Sequence, residues 1–88
     1  MIKLTIIIPV YNEIKTIEKL INKILKLKIK KQLIVVDDGS IDSTYDISVA
    51  SEAIVVRHKK NKGYEQALES GFQEALNKTI VRIIYQEL

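Results

Sequence analysis

The sequence predicts an α/β fold in which a mainly parallel sheet lies between layers of helices, as a three-layer sandwich. Short apolar runs rich in β-branched residues alternate with segments whose apolar residues recur every three or four positions, in the order β-α-β-α-β-α-β. The runs are apolar throughout, which is typical of strands covered on both faces of a parallel sheet. A length of 88 residues, with 47% hydrophobic and 28% charged residues, indicates one globular domain over residues 1–88.

The first strand and helix are predicted within residues 4–25. Residues 4–8 are short, apolar and β-branched, and Pro9 is expected to end this strand. Asn12 is a good N-cap for the helix that follows. The spacing of the apolar residues predicts an amphipathic helix with its lysines on the outer face. These apolar residues are Ile14, Ile17, Leu20, Ile21, Ile24 and Leu25.

The rest of the chain repeats the pattern. The turn at 37–40 ends the second strand, residues 42–44 supply caps for a short helix, and residues 58–63 form a polar loop. The predicted strands are at 33–36, 53–56 and 79–85, and the predicted helices run from 44 to about 51 and from 64 to 76.

Composition excludes several classes of site. The chain has no cysteine, which removes disulfides, a thiolate nucleophile and cysteine-ligated zinc, and its one histidine, His58, cannot form a histidine-rich metal site. Neither a Gly-x-Gly-x-x-Gly nor a Gly-x-x-x-x-Gly-Lys motif occurs, which counts against a Rossmann dehydrogenase and a P-loop NTPase. The apolar stretch at 4–10 is too short to span a bilayer and has no small-residue cleavage site. These features predict a cytoplasmic protein, or one that lies against a membrane.

The charges are unevenly distributed along the chain. There are 14 Lys and Arg against 11 Asp and Glu, for a net charge of +3. Basic residues gather at 15–31 and 59–62, and acidic residues lie between them at 37–46. One interpretation is a solvated lysine-rich face, and the other is attraction to phosphates or to an anionic membrane surface. The balance does not by itself indicate nucleic acid binding.

Polar segments follow three of the predicted strands, at 9–13, 37–42 and 58–63. Ligands of an open parallel sheet bind beyond the carboxyl ends of its strands, so we expect these segments to meet at one edge. There Tyr11 can offer a flat ring to a base, and Asp38 can accept hydrogen bonds from a base N–H or a ribose hydroxyl.

Each of these features also has a plainer interpretation. Asp-Asp-Gly-Ser at 37–40 is often only a turn followed by a helix cap, in which Gly39 permits a turn that a side chain can block. Tyr11 alone can be an aromatic at the edge of the core. His58 can be an ordinary loop residue, and residues 59–62 can be a solvated loop. The two aspartates can contribute oxygen ligands to a divalent cation, but adjacent strand residues point to opposite faces and rarely both ligate.

Three longer motifs carry a resemblance to a known family. They are Ile-Ile-Ile-Pro-Val-Tyr-Asn-Glu at 6–13, Ile-Val-Val-Asp-Asp-Gly-Ser-Ile-Asp-Ser-Thr at 34–44 and Asn-Lys-Gly-Tyr-Glu-Gln-Ala-Leu-Glu-Ser-Gly-Phe at 61–72. In order and spacing they resemble the start of family 2 glycosyltransferases, including the polyprenyl-phosphate sugar transferases, over about residues 3–78. The resemblance implies the N-terminal half of a GT-A fold, which is Rossmann-like.

The resemblance also implies a function and a set of site residues. Members of the family transfer a sugar from a nucleotide diphosphate sugar, such as a UDP- or GDP-sugar, to a lipid phosphate, a glycan or a protein. The implied nucleotide-binding residues are Pro9, Tyr11, Glu13, Val36, Asp37, Asp38, Lys62 and Gly63.

Each of these residues takes an implied role from its place in the motifs. Those of the first motif line the base and ribose pocket. Val36 and Asp38 contact the base or ribose, and Asp37 supports the turn. Lys62 approaches the diphosphate. The segment that contains Asn61, Gly63, Ala67 and Gly71 closes over the nucleotide.

One departure from the family pattern is serious. Members follow the third helix with a strand that ends in Asp-x-Asp, which binds Mg²⁺ or Mn²⁺ and, through it, the diphosphate. The corresponding residues 79–88 contain no aspartate, and none occurs after Asp46. The catalytic base of the family lies later still. The resemblance therefore implies a site with no catalytic and no metal-binding residues, although the family uses a metal.

We therefore expect the nucleotide-binding part of a glycosyltransferase that is inactive alone, from a truncated gene, a split gene or a remnant. The alternatives are a half-enzyme that works with a partner chain or a second copy, and a non-catalytic interaction module that uses the lysine-rich segment on a lipid surface.

Overall fold

The computed structural model describes residues 4–76 and 82–85, and it confirms the predicted α/β fold. The elements are β1 (Leu4–Val10), α1 (Ile17–Leu25), β2 (Gln32–Asp37), α2 (Thr44–Ala50), β3 (Ile54–Arg57), α3 (Tyr64–Leu76) and β4 (Arg82–Tyr85). The strands form one sheet in the order β3-β2-β1-β4, and all three strand pairs are parallel. No helix among the described residues is long and apolar enough to cross a membrane.

The helices divide between the two faces of the sheet, as the alternation of strand residues requires. Ile6, Ile8 and Val10 of β1 pack with α1 on one face, and α2 contributes Ile47 to the same cluster. Ile7 points to the other face, where it packs with α3. The sheet is therefore the middle layer of a three-layer sandwich.

The start of the chain differs from the sequence prediction in two ways. Strand β1 does not end at Pro9 but continues to Val10, with Pro9 opposite Val36 of β2. The carbonyl of Val10 points toward β2, where it accepts from the N–H of Asp38 at 2.8 Å. Adjacent strand residues direct their backbone groups to opposite sides, so the nitrogen of Pro9 points toward the β4 side of β1. The last described pair between β1 and β4 is at Ile7, before Pro9. The missing N–H of proline therefore costs no described ladder hydrogen bond.

Helix α1 begins at Ile17, later than predicted, and its N-cap is Thr16 rather than Asn12. Asn12 has a left-handed backbone, with φ of 51°, and takes part in a turn instead. Ile14 is consequently 42% exposed, whereas Ile17, Ile21 and Ile24 are buried as their spacing predicts.

The remaining boundaries are close to the predicted ones. Helix α3 has the predicted bounds. Strand β2 is one residue longer at each end than predicted, and β3 lies one residue later than predicted. Strand β4 spans Arg82–Tyr85, within the predicted range of 79–85, and residues 79–81 lie outside the described residues.

Gly71 lets α3 lie directly on the sheet. A methyl group at this position would stand 2.5 Å from Cγ2 of Ile7 and 3.3 Å from Cγ2 of Val36. Both side chains are fully buried, so neither can move away without repacking the core.

We predict that Gly71→Ala lowers the free energy of unfolding by about 1–3 kcal/mol, because it overpacks this contact. In an Ile7→Ala background the obstructing methyl is gone, and Gly71→Ala should then be neutral or stabilising through the better helix propensity of alanine. A urea-denaturation double-mutant cycle measures both effects. An equal loss in the two backgrounds would contradict the steric explanation.

Candidate functional site

Backbone hydrogen bonds carry the strand alignment into the loops at the carboxyl edge of the sheet. The N–H of Asp38 donates to the carbonyl of Val10 at 2.8 Å, and the N–H of His58 donates to the carbonyl of Asp37 at 2.9 Å. The loops that follow β1, β2 and β3 therefore lie side by side, as the sequence predicts.

The carboxylate of Asp38 is the centre of this edge. Its Oδ1 accepts from the N–H of Lys62 at 2.8 Å and lies 2.7 Å from Nδ1 of His58. Its Oδ2 accepts from the N–H of Gly63 at 2.9 Å and from Nδ2 of Asn61 at 3.0 Å. Two carboxylate oxygens offer about four acceptor positions, so four protein donors fill them. Asp38 thus ties the whole 58–63 loop to the end of β2.

The surroundings of Asp38 favour its charged form. Burial raises the pKa of this carboxyl, but hydrogen bonds from His58 and from the N–H groups of Lys62 and Gly63, together with the charge of His58, lower it more. The pKa of Asp38 therefore lies below its ordinary value of 3.8. The site is built around a carboxylate that stays ionised at neutral pH.

His58 links Asp38 to helix α3. Its Nδ1 lies 2.7 Å from Oδ1 of Asp38 and its Nε2 lies 2.7 Å from Oγ of Ser70. The side chain is only 7% exposed. The sequence indicates only a loop residue here, and the structure adds that both ring nitrogens of His58 have hydrogen-bond partners.

Gly39 permits direct contact between the 37–42 and 58–63 segments. Its φ is +81°, and a Cβ there would stand 2.4 Å from the carbonyl carbon of Lys60 and 2.5 Å from the nitrogen of Asn61. Backbone atoms cannot rotate away as a side chain can, so only glycine fits.

The loop after β1 is fixed to the loop after β2. The N–H of Asn12 donates to Oγ of Ser40 at 2.8 Å, and Oδ1 of Asn12 accepts from the N–H of Ile41 at 2.9 Å. The N–H of Glu13 donates to Oγ1 of Thr44 at 2.9 Å. The side chain of Asn12 therefore caps this turn, which is why it does not cap α1.

A cavity of about 250 Å³ opens between these loops and the first turns of α3. We call it the edge cavity. Tyr11, 44% exposed, forms part of its wall. Its lining residues are Pro9, Val10, Tyr11, Glu13, Asp38, Asn61, Gly63, Tyr64 and Ala67. A flat ring beside fixed polar groups suits an aromatic ligand with hydrogen-bonding edges.

Five of the eight residues that the sequence implicates line the edge cavity, and three do not. Val36 is fully buried in the core beneath α3. Asp37 is also fully buried, and its carboxylate lies 3.7 Å from Nε of Arg57, which stacks on the ring of Tyr45. Lys62 lines a separate basic depression formed by residues 57–60 and 62. Asn61 and Ala67, which the resemblance assigns to the segment that closes over the nucleotide, also line the cavity. Tyr64 of the third motif lines it as well, without an implied role.

The described residues do not fit a metal site. Within 4–76 and 82–85, no group of three or more His, Asp or Glu side chains converges. The two adjacent aspartates point apart, one beneath Arg57 and the other into the 58–63 loop. We therefore assign no step to a metal at these residues.

Comparison with known proteins places the chain in a family. The model of the family described as Glycosyl transferase family 2 matches residues 5–83. The chain belongs to glycosyl transferase family 2. A family relative, the poly-beta-1,6-N-acetyl-D-glucosamine synthase of Staphylococcus aureus, is 36% identical over 77 residues, which cover 82% of this chain and 19% of the relative.

Two solved glycosyltransferase structures share the fold. The glucosyl-3-phosphoglycerate synthase of Mycobacterium tuberculosis, with Mn²⁺, UDP-glucose and phosphoglyceric acid, is 26% identical with a TM-score of 0.76, and the match covers 97% of this chain and 32% of that one. A mannosyltransferase of Pyrobaculum calidifontis, with GDP-mannose and Mn²⁺, is 24% identical with a TM-score of 0.76, covering 82% and 24%. The expected GT-A fold is confirmed, and this chain spans at most about a third of the relatives described here.

We predict that Asp38 makes stability depend on pH. The pKa of Asp38 in the folded state is below its ordinary value of 3.8. The ionised carboxylate therefore contributes its full stabilisation of the fold when the pH is above the unfolded-state pKa. This contribution is lost as the pH falls through the folded-state pKa. Asp38→Asn should cost about 2 kcal/mol at neutral pH and flatten the decline of the unfolding free energy below about pH 4. The exposed residue Asp46 provides the control, since Asp46→Asn makes the same charge change away from the loop. Urea denaturation across a pH series tests this, and parallel curves for Asp38→Asn and the wild type would contradict it.

Proposed function

We propose that this chain binds the nucleoside end of a UDP- or GDP-sugar in the edge cavity. The observation that carries the proposal is the cavity itself, which lies at the carboxyl edge of a parallel sheet and combines the half-exposed ring of Tyr11 with hydrogen-bonding groups held by Asp38. This is the edge at which open parallel sheets bind ligands.

The geometry suggests how a base would be held. The ring of Tyr11 offers a stacking surface, which tolerates either a uracil or a guanine. A base N–H reaches Asp38 by displacing Nδ2 of Asn61, because the other donors to Oδ2 and Oδ1 are two backbone N–H groups and the buried ring of His58. Asn61 is then the exchangeable member of the Asp38 cluster.

Glu13 supplies a polar group for the ribose. Its carboxylate lines the edge cavity and already accepts from the hydroxyl of Thr16 at 3.0 Å. Carboxylates accept hydrogen bonds from sugar hydroxyls, and a second acceptor position on Glu13 remains for one.

The relatives support a nucleotide-sugar ligand without selecting the base. One structural relative was solved with UDP-glucose and another with GDP-mannose. The sequence relative from Staphylococcus aureus is a synthase of a glycan. We infer that the donor is a nucleotide sugar and that the acceptor is a lipid phosphate, a glycan or a protein.

Sugar transfer itself requires groups beyond those described here. The structural relatives hold Mn²⁺, whereas the described residues of this chain offer no cluster of metal ligands. We propose that these residues bind the donor and do not catalyse transfer alone. The missing groups would come from further residues of a longer protein, a second chain or another copy, for which β3 and β4 are the edges among the described strands.

We predict that Tyr11→Leu weakens UDP or GDP binding by about tenfold through loss of base stacking, while Tyr11→Phe, which keeps the ring, changes it little. An amide NMR titration measures this, with shifts expected at Tyr11, at Asp38 and along 61–64. A folded chain whose amides do not shift with either nucleotide would overturn the proposed function. Equal affinity for the Leu and Phe variants would remove Tyr11 from the site.

We also predict that Mg²⁺ leaves the nucleotide affinity unchanged within about twofold, because the described carboxylates are already engaged or point apart. The same titration with and without Mg²⁺ measures it. A large gain in affinity with Mg²⁺ would show that ligands outside the described residues complete a metal site.

A further inference from the structure

The segment between α1 and β2 is an exposed loop in which apolar and basic side chains alternate. We call residues 26–30, Lys-Leu-Lys-Ile-Lys, the loop tip. Leu27 is 49% exposed and Ile29 is 50% exposed. The three lysines beside them are also exposed. Leu27 and Ile29 thus place two half-exposed aliphatic side chains next to one another among lysines, and this combination of apolar and basic groups is the feature that requires an explanation.

The side chain of Lys31 stabilises the backbone conformation of the loop tip. The ammonium group of Lys31 donates to the carbonyl of Leu27 at 2.9 Å and to those of Leu25 and Ile29 at 3.4 Å. These bonds occupy carbonyls at and beyond the end of α1 that have no helical partner. Lys31 therefore fixes the backbone from which Leu27 and Ile29 project.

A stripe of lysines continues from the loop tip along the outer face of α1. Lys19 and Lys23 are exposed, and at 100° per residue they lie on the same side of the helix as Lys26, opposite the buried isoleucines. Glu18 is the one acidic residue between 14 and 31. It lines the groove toward α2 rather than the lysine stripe.

We propose that the loop tip docks this chain on an anionic lipid bilayer, with Leu27 and Ile29 entering the interface and the surrounding lysines contacting the headgroups. Apolar insertion and attraction to anionic lipids act together in such binding. The aliphatic tip favours a bilayer over a nucleic acid, because a phosphate backbone cannot bury it and residues 14–31 contain no aromatic side chain for base stacking.

The position of the loop tip is compatible with ligand binding at the other end of the sheet. It immediately precedes β2 and so lies at the amino-terminal edge of the parallel strands, whereas the edge cavity lies beyond their carboxyl ends. Docking through the loop tip leaves the edge cavity open to the aqueous phase. This proposal does not depend on the proposed nucleotide function.

A single-tryptophan experiment tests insertion directly, since the chain has no tryptophan of its own. Leu27→Trp in the full chain should show a blue shift of its fluorescence with phosphatidylcholine vesicles that contain phosphatidylserine, and none with pure phosphatidylcholine. Ile41→Trp is the matched control, because Ile41 is 89% exposed at the opposite edge of the sheet, and its fluorescence should not shift. Equal shifts at both positions, or none at Leu27→Trp, would overturn the proposal.

Sedimentation with the same vesicles separates the two contributions. Lys26→Glu with Lys28→Glu should reduce partitioning at least tenfold, since each lysine near an anionic surface contributes about fivefold. The control variant, Lys59→Glu with Lys60→Glu, makes the same charge change in the 58–63 loop. It should reduce partitioning onto the vesicles less than the loop-tip variant does. Leu27→Ser with Ile29→Ser should also weaken binding, whereas Ile41→Ser with Val49→Ser should not.

Two results would contradict the membrane assignment. Equal losses in the lysine pairs would mean that net charge alone drives adsorption. Tighter binding to an oligonucleotide than to vesicles, unaffected by Leu27→Ser with Ile29→Ser, would mean that the lysine stripe serves a nucleic acid. All the substituted positions are exposed, and circular dichroism before each measurement confirms that the variant is folded.

Discussion

The candidate site depends on one buried carboxylate. Asp38 receives four hydrogen bonds from the 58–63 loop, and this loop supplies one wall of the edge cavity. Removing this charged acceptor leaves the buried ring of His58 and the partly buried N–H groups of Lys62 and Gly63 without their carboxylate partner, which costs more than the bonds themselves contribute. Gly39 and His58 serve the same arrangement, the first by letting the two backbones touch and the second by connecting the carboxylate to α3. The site is therefore a single cooperative unit.

The same carboxylate limits what the site can do. With its acceptor positions filled by protein donors, Asp38 is already satisfied before any ligand arrives. A ligand N–H must exchange with an existing donor, and a side-chain amide exchanges more easily than a backbone N–H that is held by the chain. In the proposed binding mode, the hydrogen bond from a base N–H to Asp38 replaces the one from Asn61. It therefore contributes to affinity only the difference in free energy between these two bonds. In the proposed binding mode, stacking on Tyr11 has no such competitor, so we expect the aromatic contact to make the larger contribution.

The sequence predicts the fold well because its signals are local and repeated. Continuous apolar runs predict the strands, and the spacing of Ile17, Ile21 and Ile24 predicts the buried face of α1. The prediction fails where a long-range contact competes with a local preference. Asn12 has the side chain of a helix N-cap, but Ser40 and Ile41 lie close enough to engage it, so α1 starts later. The sequence identifies His58 only as a loop residue, and the fold shows that Asp38 and Ser70 lie on either side of its ring.

The position of β4 has a consequence for how the molecule acquires its structure. Strand β1 pairs with β4 through Leu4 and Arg82, so one of the central strands of the sheet finds a partner almost at the other end of the sequence. On a ribosome, β1 would emerge first and wait with one side unpaired until residues 82–85 follow. Pairings that span such a distance form slowly and leave an apolar strand edge accessible in the meantime. An unpaired apolar edge is prone to aggregation, so pairing with β4 protects β1 once residues 82–85 have been made.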